Sequence, residues 1–210
     1  MSDVHENPEE FLSRLRKDPE GVLADEYSLH RERLWRIVNF RLDRRLLGRV
    51  DADDILQEAY LDAATRIEHY LNDPAITFFI WLRTVVGQTL IDVHRRHLGA
   101  QKRDVRREVR PNRRVFSAST SFQIADVLLA DMSSPSQAAL KEELAAKLHE
   151  ALESMNEIDR EILVLRHFEE LSNLEAAEVL EIEAKTASMR YFRALTRLRS
   201  ILVQIPGIIE

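Results

Sequence analysis

Through most of this chain an apolar residue returns every three or four positions, and little interrupts the pattern: there are only 5 glycines and 6 prolines in 210 residues. That spacing follows the turn of an α-helix, whereas a half-buried strand would alternate. The chain is therefore predicted to be all-α. Leu29, Leu34, Ile37, Val38, Leu42 and Leu46 predict a helix over residues 28–47, closed by Gly48. Asp51 reads as the N-cap of the next helix, with Asp54 three residues on as a carboxylate variant of the capping box. That helix runs to Tyr70 with Ile55, Ala59, Leu61 and Ile67 turned inward. Asn72-Asp73-Pro74 breaks it. Phe78, Phe79, Ile80, Trp81, Leu82, Val85, Val86, Leu90 and Ile91 then predict a third long helix, ending at residue 98.

The pattern weakens over residues 99–137, where an arginine-rich stretch is followed by FSASTS and SSPS. This reads as a long basic linker. Periodicity resumes with Leu140, Leu144, Leu148 and Leu152. Asn156 caps the following helix, which places Ile158, Ile162, Leu163 and Leu165 inside. Ser172-Asn173-Leu174-Glu175 is a full Ser-x-x-Glu capping box. It opens a short helix through Leu180, and a final long helix begins near Lys185. The expected architecture is a polar extension (1–27), a helical bundle (28–98), the linker, and a four-helix domain (138–210).

Several function classes drop out. With no cysteine there is no disulfide framework and no cysteine zinc site. No apolar run reaches the roughly 18–20 residues that a membrane helix needs, and the acidic N-terminus is unlike a secretory signal. A cytoplasmic protein is expected. His94 and His97 share a helix face but lack an evident third ligand. No phosphate-binding glycine loop or hydrolase motif occurs. The chain is read as a non-enzyme with no metal and no cofactor.

Charge is where the sequence turns specific. The formal charge is −6, yet it is distributed in blocks. Residues 138–183 hold 13 acidic and 4 basic side chains, while residues 184–199 hold five basic and none acidic. Residues 81–114 hold ten basic and three acidic, and DADDILQE at 51–58 is strongly acidic. Basic blocks of this kind suit phosphate backbones. The short helix, tight turn and longer basic helix at the C-terminus make a helix-turn-helix candidate. At about 100° per residue, Ala187, Tyr191, Leu195, Leu198 and Leu202 fall in one packing stripe, and Thr186, Arg190, Arg193 and Arg197 on an adjoining face. Arginines one turn apart can follow a groove, some on phosphates and some on base edges.

Three stretches in order resemble the extracytoplasmic-function (ECF) group of bacterial RNA polymerase sigma factors. DADDILQEAYLDA resembles the family's acidic helix, WLRTVVGQTLIDVHRR its −10-reading and melting helix, and LESMNEIDREILVLRHFEELSNLEAAEVLEI with KTASMRYFRALTRLR its −35-reading domain. The resemblance covers residues 28–98 and 138–202. It implies core RNA polymerase and promoter DNA as partners, and leaves room for an anti-sigma factor. By the same resemblance, Asp51, Asp53, Asp54, Gln57 and Glu58 would dock on the polymerase. Trp81, Arg83, Gln88, Arg95 and Arg96 would hold the opened −10 DNA, although core packing is the competing reading for Trp81. Lys185, Thr186, Ser188, Met189, Arg190, Arg193 and Arg197 would meet the −35 DNA. The chain departs from the family pattern at Gln88, usually Asn, and at Glu181, usually the Gly of the helix-turn-helix turn. A different class stays open: a stand-alone helix-turn-helix regulator that binds an operator without polymerase.

Overall fold

The computed structural model describes residues 7–98, 124–125 and 138–204. Among them every regular element is helical, and the chain divides into two compact units, 1–106 and 107–210. Most of the expected linker falls outside the described residues; Ile124 and Ala125, which are described, are buried.

The N-terminal unit holds α1 (Pro8–Lys17), α2 (Pro19–Arg41), α3 (Ala52–Asn72) and α4 (Phe78–Leu98). It begins earlier than the sequence suggested. Asn7 caps α1, and the Asp18 carboxylate caps α2 by accepting from the Gly21 N–H at 2.9 Å. Each helix has proline in its first turn, where the missing N–H costs nothing. The expected polar extension therefore supplies core: Leu15, Val22 and Leu23 are buried, and Phe11 packs on Phe78 with centroids 5.1 Å apart.

Helix α2 also stops earlier than predicted, at Arg41 rather than near residue 47. Leu42 turns extended, and the Asp43 carboxylate accepts from the Arg45 N–H at 2.9 Å, diverting the backbone into a 3-10 turn over Arg44–Leu46. This brings Leu42 and Leu46 into the core together. Gly48 still takes a positive φ of 78°, in the loop rather than at the helix end. The orphaned Asp43 N–H donates to His94 Nε2 on α4 at 3.2 Å.

Helix α4 is the central element of this unit. Twelve of its residues are buried, and only its last turns emerge. Tyr70, Phe78 and Trp81 form one aromatic cluster with centroids 5.0–5.3 Å apart. Tyr27 donates from its hydroxyl to the Leu56 carbonyl at 2.6 Å, and burial pushes its pKa up. Two predicted inward residues face water instead: Leu29 and Leu61 are exposed.

The C-terminal unit holds α5 (Ala138–Glu153), α6 (Glu157–Leu163), α7 (Asn173–Leu180) and α8 (Ala184–Gln204). Leu144, Leu148 and Leu152 of α5 are buried as expected; the side chain of Leu140 lies outside the described residues. Asn156 caps α6, accepting from Ile158 N–H at 3.0 Å. The helix widens into a π turn over Val164–Phe168. Ile162 through Leu165 are all buried, while Ile158, predicted inside, is exposed. The capping box of α7 forms: Glu175 N–H donates to Ser172 Oγ at 3.1 Å, and Ser172 N–H donates to the Glu175 carboxylate at 2.7 Å.

Candidate nucleic-acid interface

Helices α7 and α8 are joined by three residues, 181–183. Glu181 takes the left-handed conformation, φ 52° and ψ 46°, and closes α7. The turn is thus kept in the geometry that favours glycine, with glutamate bearing the strain. Across it, Asn173 donates from Nδ2 to the Ala184 carbonyl at 2.8 Å, tying the start of α7 to the start of α8. This fixes the angle at which α8 leaves the domain.

The packing side of α8 is Ala187, Ala194 and Ile201, at intervals of seven. The predicted stripe is therefore rotated: Leu195 is exposed, and Leu198 and Leu202 are half-buried. Alanine at the contact points lets α8 approach its neighbours closely, which a stripe of leucines would not. The rotation turns Lys185, Ser188, Met189, Arg193 and Arg197 outward, with Thr186 half-buried at the margin. Arg190 differs. Its guanidinium donates to the Asp159 carboxylate at 3.0 Å and so braces α8 against α6. Phe192, not singled out in the sequence, is the most exposed large apolar residue of α8 at 72 %.

In the N-terminal unit the acidic helix start is real, but its reciprocal box is not formed. Asp51 accepts from Asp53 N–H at 3.0 Å, and Asp54 does not reach back. Asp53 is paired with Arg31 at 2.7 Å. Glu58 receives both its bonds from Arg96, at 2.6 and 2.7 Å, which holds the Arg96 pKa above its ordinary value. Asp54 and Gln57 are exposed, and Leu61 continues their face one turn on, 65 % exposed. An apolar side chain amid carboxylates was the signal missed here, because leucine at a helical interval reads as core.

The residues expected on the −10 DNA fall into two sets. Trp81 is 9 % exposed, held by Tyr70 and Phe78, and Arg83 is 6 % exposed. In this conformation neither reaches solvent, since α4 is enclosed along its first half. Gln88, Arg95 and Arg96 lie on the emerging half: Gln88 accepts from Arg66, and Arg95 sits 3.5 Å from Asp92. The Asp43–His94 contact lies at the same end. Burial lowers the His94 pKa, which suits its role as acceptor.

Among the described residues, no helix is long and apolar enough to cross a membrane. The family model described as sigma-70 region 2 matches residues 27–99, and that described as sigma-70, region 4 matches residues 145–198. The chain is 31 % identical to the RNA polymerase sigma-H factor of Pseudomonas aeruginosa over 144 residues, 69 % of each chain. It is 24 % identical to the ECF RNA polymerase sigma factor SigW of Bacillus subtilis over 91 % of this chain and 94 % of that one. Against the ECF RNA polymerase sigma-E factor of Escherichia coli K12 it is 28 % identical, over 69 % of this chain and 70 % of the other. Two matched regions in order, each on its own helical unit, and these relatives place the chain in the ECF group of the sigma-70 family: it is an RNA polymerase sigma factor that directs promoter recognition.

Proposed function

We propose that the sigma-factor work is divided among three surfaces. The start of α3, with Asp51, Asp53, Asp54, Gln57, Glu58 and Leu61, docks on a basic surface of core polymerase. The emerging end of α4, with Gln88, Arg95 and Arg96, holds the opened −10 strand. The outward face of α8, with Lys185, Thr186, Ser188, Met189, Arg193 and Arg197, enters the −35 major groove. The observation that carries this reading is the charge segregation: α8 has five basic side chains and no carboxylate, while α3 opens with three aspartates in its cap and first turn. Phosphates attract the first and repel the second.

Three of the expected contacts enter this reading altered. Arg190 acts as a brace that sets the pitch of α8. Trp81 and Arg83 support α4 from inside the unit, and they reach DNA only if the aromatic cluster opens. The residue spans 28–98 and 138–210 serve as the polymerase/−10 and −35 modules, with α1 and the first turns of α2 completing the first. A cytoplasmic location follows from the polymerase partner.

The test is transcription in vitro, with purified protein added to core polymerase over a genomic fragment library. Start sites that appear only with the protein present, and that vanish when the −35 sequence is scrambled, are the expected result. Sequence-specific binding to DNA by the protein alone, with no new start sites, would favour the stand-alone regulator.

A further inference from the structure

Residues 169–183 hold six glutamates and no basic side chain, while residues 184–204 hold five basic side chains and no Asp or Glu. The boundary between the two blocks falls at the start of α8. The bond from Asn173 to the Ala184 carbonyl, 2.8 Å, holds the start of α7 beside the start of α8. The two blocks therefore keep a fixed relation within one unit. Glu169 is buried and Glu175 is engaged in the capping box, so Glu170, Glu178, Glu181 and Glu183 supply the outward acidic charge.

Each block also carries an apolar point. Leu174, one turn before Glu178 on α7, is 72 % exposed. Met189 and Phe192, among the arginines of α8, are 45 % and 72 % exposed. Leu174 has no place in a DNA contact, because the carboxylates around it repel phosphate. Its surface suits a basic partner with an apolar centre, and the outer face of α8 is such a surface.

A second copy of the chain matches both blocks at once. A two-fold axis lays the basic block of each copy on the acidic block of the other, so every favourable contact is made twice. The same operation turns Leu174 of each copy toward Met189 and Phe192 of the other. We propose that the free protein pairs through this face into a two-fold dimer that covers α8. A charged contact with small apolar centres belongs to the weak, concentration-dependent class of interfaces. The pairing withholds α8 from promoter DNA, a consequence that rests on the reading of α8 as the −35 helix; the pairing itself does not.

The experiment is sedimentation velocity of the full-length chain without DNA or polymerase, from micromolar to submillimolar protein. It is run at about 0.1 M and about 1 M salt, where the screening length is about 10 Å and about 3 Å. A monomer–dimer equilibrium is expected at the lower salt and monomer at the higher. Leu174→Ser should raise the dissociation constant at least about tenfold, with an unchanged thermal melt because the side chain is exposed. Glu178→Lys with Glu183→Lys should be monomeric, as should Arg193→Glu with Arg197→Glu. An equimolar mixture of these two variants should restore a dimer, since each block then meets the opposite sign. Leu174→Ser keeps the test open if a reversed variant misfolds. A duplex carrying a −35 element selected with holoenzyme should dissociate the wild-type dimer.

A wild type that is monomeric at the lower salt overturns the proposal, as does a dimer that persists at the higher. A dimer indifferent to Leu174→Ser, or folded reversed variants that stay monomeric when mixed, would place any self-contact elsewhere. A monomeric wild type whose core affinity falls with Leu174→Ser would assign the leucine to the polymerase instead. If the chain drives no promoter-specific transcription, the −35 reading fails while the sedimentation result stands on its own. Duplex bound without change in the size of the dimer would remove α8 from the contact.

Discussion

Single residues carry two kinds of information in this protein, strain and charge. Glu181 and Glu170 both sit at positive φ, 52° and 54°. A non-glycine residue pays about 1–2 kcal/mol there. Glu181→Gly should raise the stability of the C-terminal unit by about 1 kcal/mol, read as a higher urea midpoint; an unchanged or lower midpoint would mean that contacts of the glutamate side chain outweigh the backbone strain. His94 makes a prediction with a sign. Burial lowers its pKa below the ordinary 6.5, so the folded state prefers it neutral. Its contribution is complete above pH 6.5 and is lost as the pH falls from there through the lower folded value. The chain has two tryptophans, Trp35 and Trp81, both in the N-terminal unit, so fluorescence follows that unit alone. Its melting temperature should fall between pH 7 and pH 5, and His94→Gln should flatten the dependence.

Helices decide which of these charges can act. The candidate residues of α3 and α4 are cross-linked by Glu58–Arg96, a pair about half exposed on both sides. Such surface pairs contribute roughly 0–1 kcal/mol, so the link can exchange for intermolecular partners. Glu58→Gln should leave the fold intact and tighten binding of single-stranded −10 DNA a few-fold, measured by fluorescence anisotropy at low salt. No change would mean that Arg96 does not meet the strand. Asp54 carries no such pairing among the described residues, which makes it the sharper probe of docking. Asp54→Lys should weaken core binding tenfold or more, an interaction loss of roughly 1.4 kcal/mol, with Asp54→Asn intermediate; retained affinity would remove α3 from the interface. On α8, Arg193→Ala with Arg197→Ala should reduce −35-dependent transcription and the salt dependence of promoter binding while sparing core affinity. Arg190→Ala should also lower the stability of the C-terminal unit, because Asp159 loses its partner.

At the scale of the molecule, the proposed function gives the two helical units different kinds of recognition. The N-terminal unit encloses α4 so fully that only its last turns are available, and the C-terminal unit presents α8 along nearly its whole outer face. Acidic residues concentrate in 138–183, immediately before the basic helix. Their charge should oppose indiscriminate DNA binding by the free protein and favour binding once polymerase is present. Promoter affinity of the protein without core should therefore rise little when salt is lowered, whereas the holoenzyme should respond steeply; equal slopes would refute that role for the acidic block.

From α3 onward the sequence determined the helices and their main caps, and throughout it determined the charge blocks, because each is a local property. Ser172 and Glu175 find each other within one turn, and Asn156 needs only the backbone ahead of it. The order of the acidic, aromatic and basic helices likewise sufficed to indicate the family. What the tertiary structure decided is which way each helix faces. Leu29, Leu61 and Leu195 read as core by spacing and are exposed, while Ala194 gave no signal and is buried. Helix α2 ended at Arg41 because Asp43 was held by Arg45 and by His94, fifty-one residues further along the chain. Trp81 was enclosed by Tyr70 and Phe78, and Phe78 in turn by Phe11, from a stretch read as a polar extension. Periodicity fixes that a helix has an apolar side. It leaves the rotation of that side to the neighbours that cover it, and those neighbours are distant in sequence.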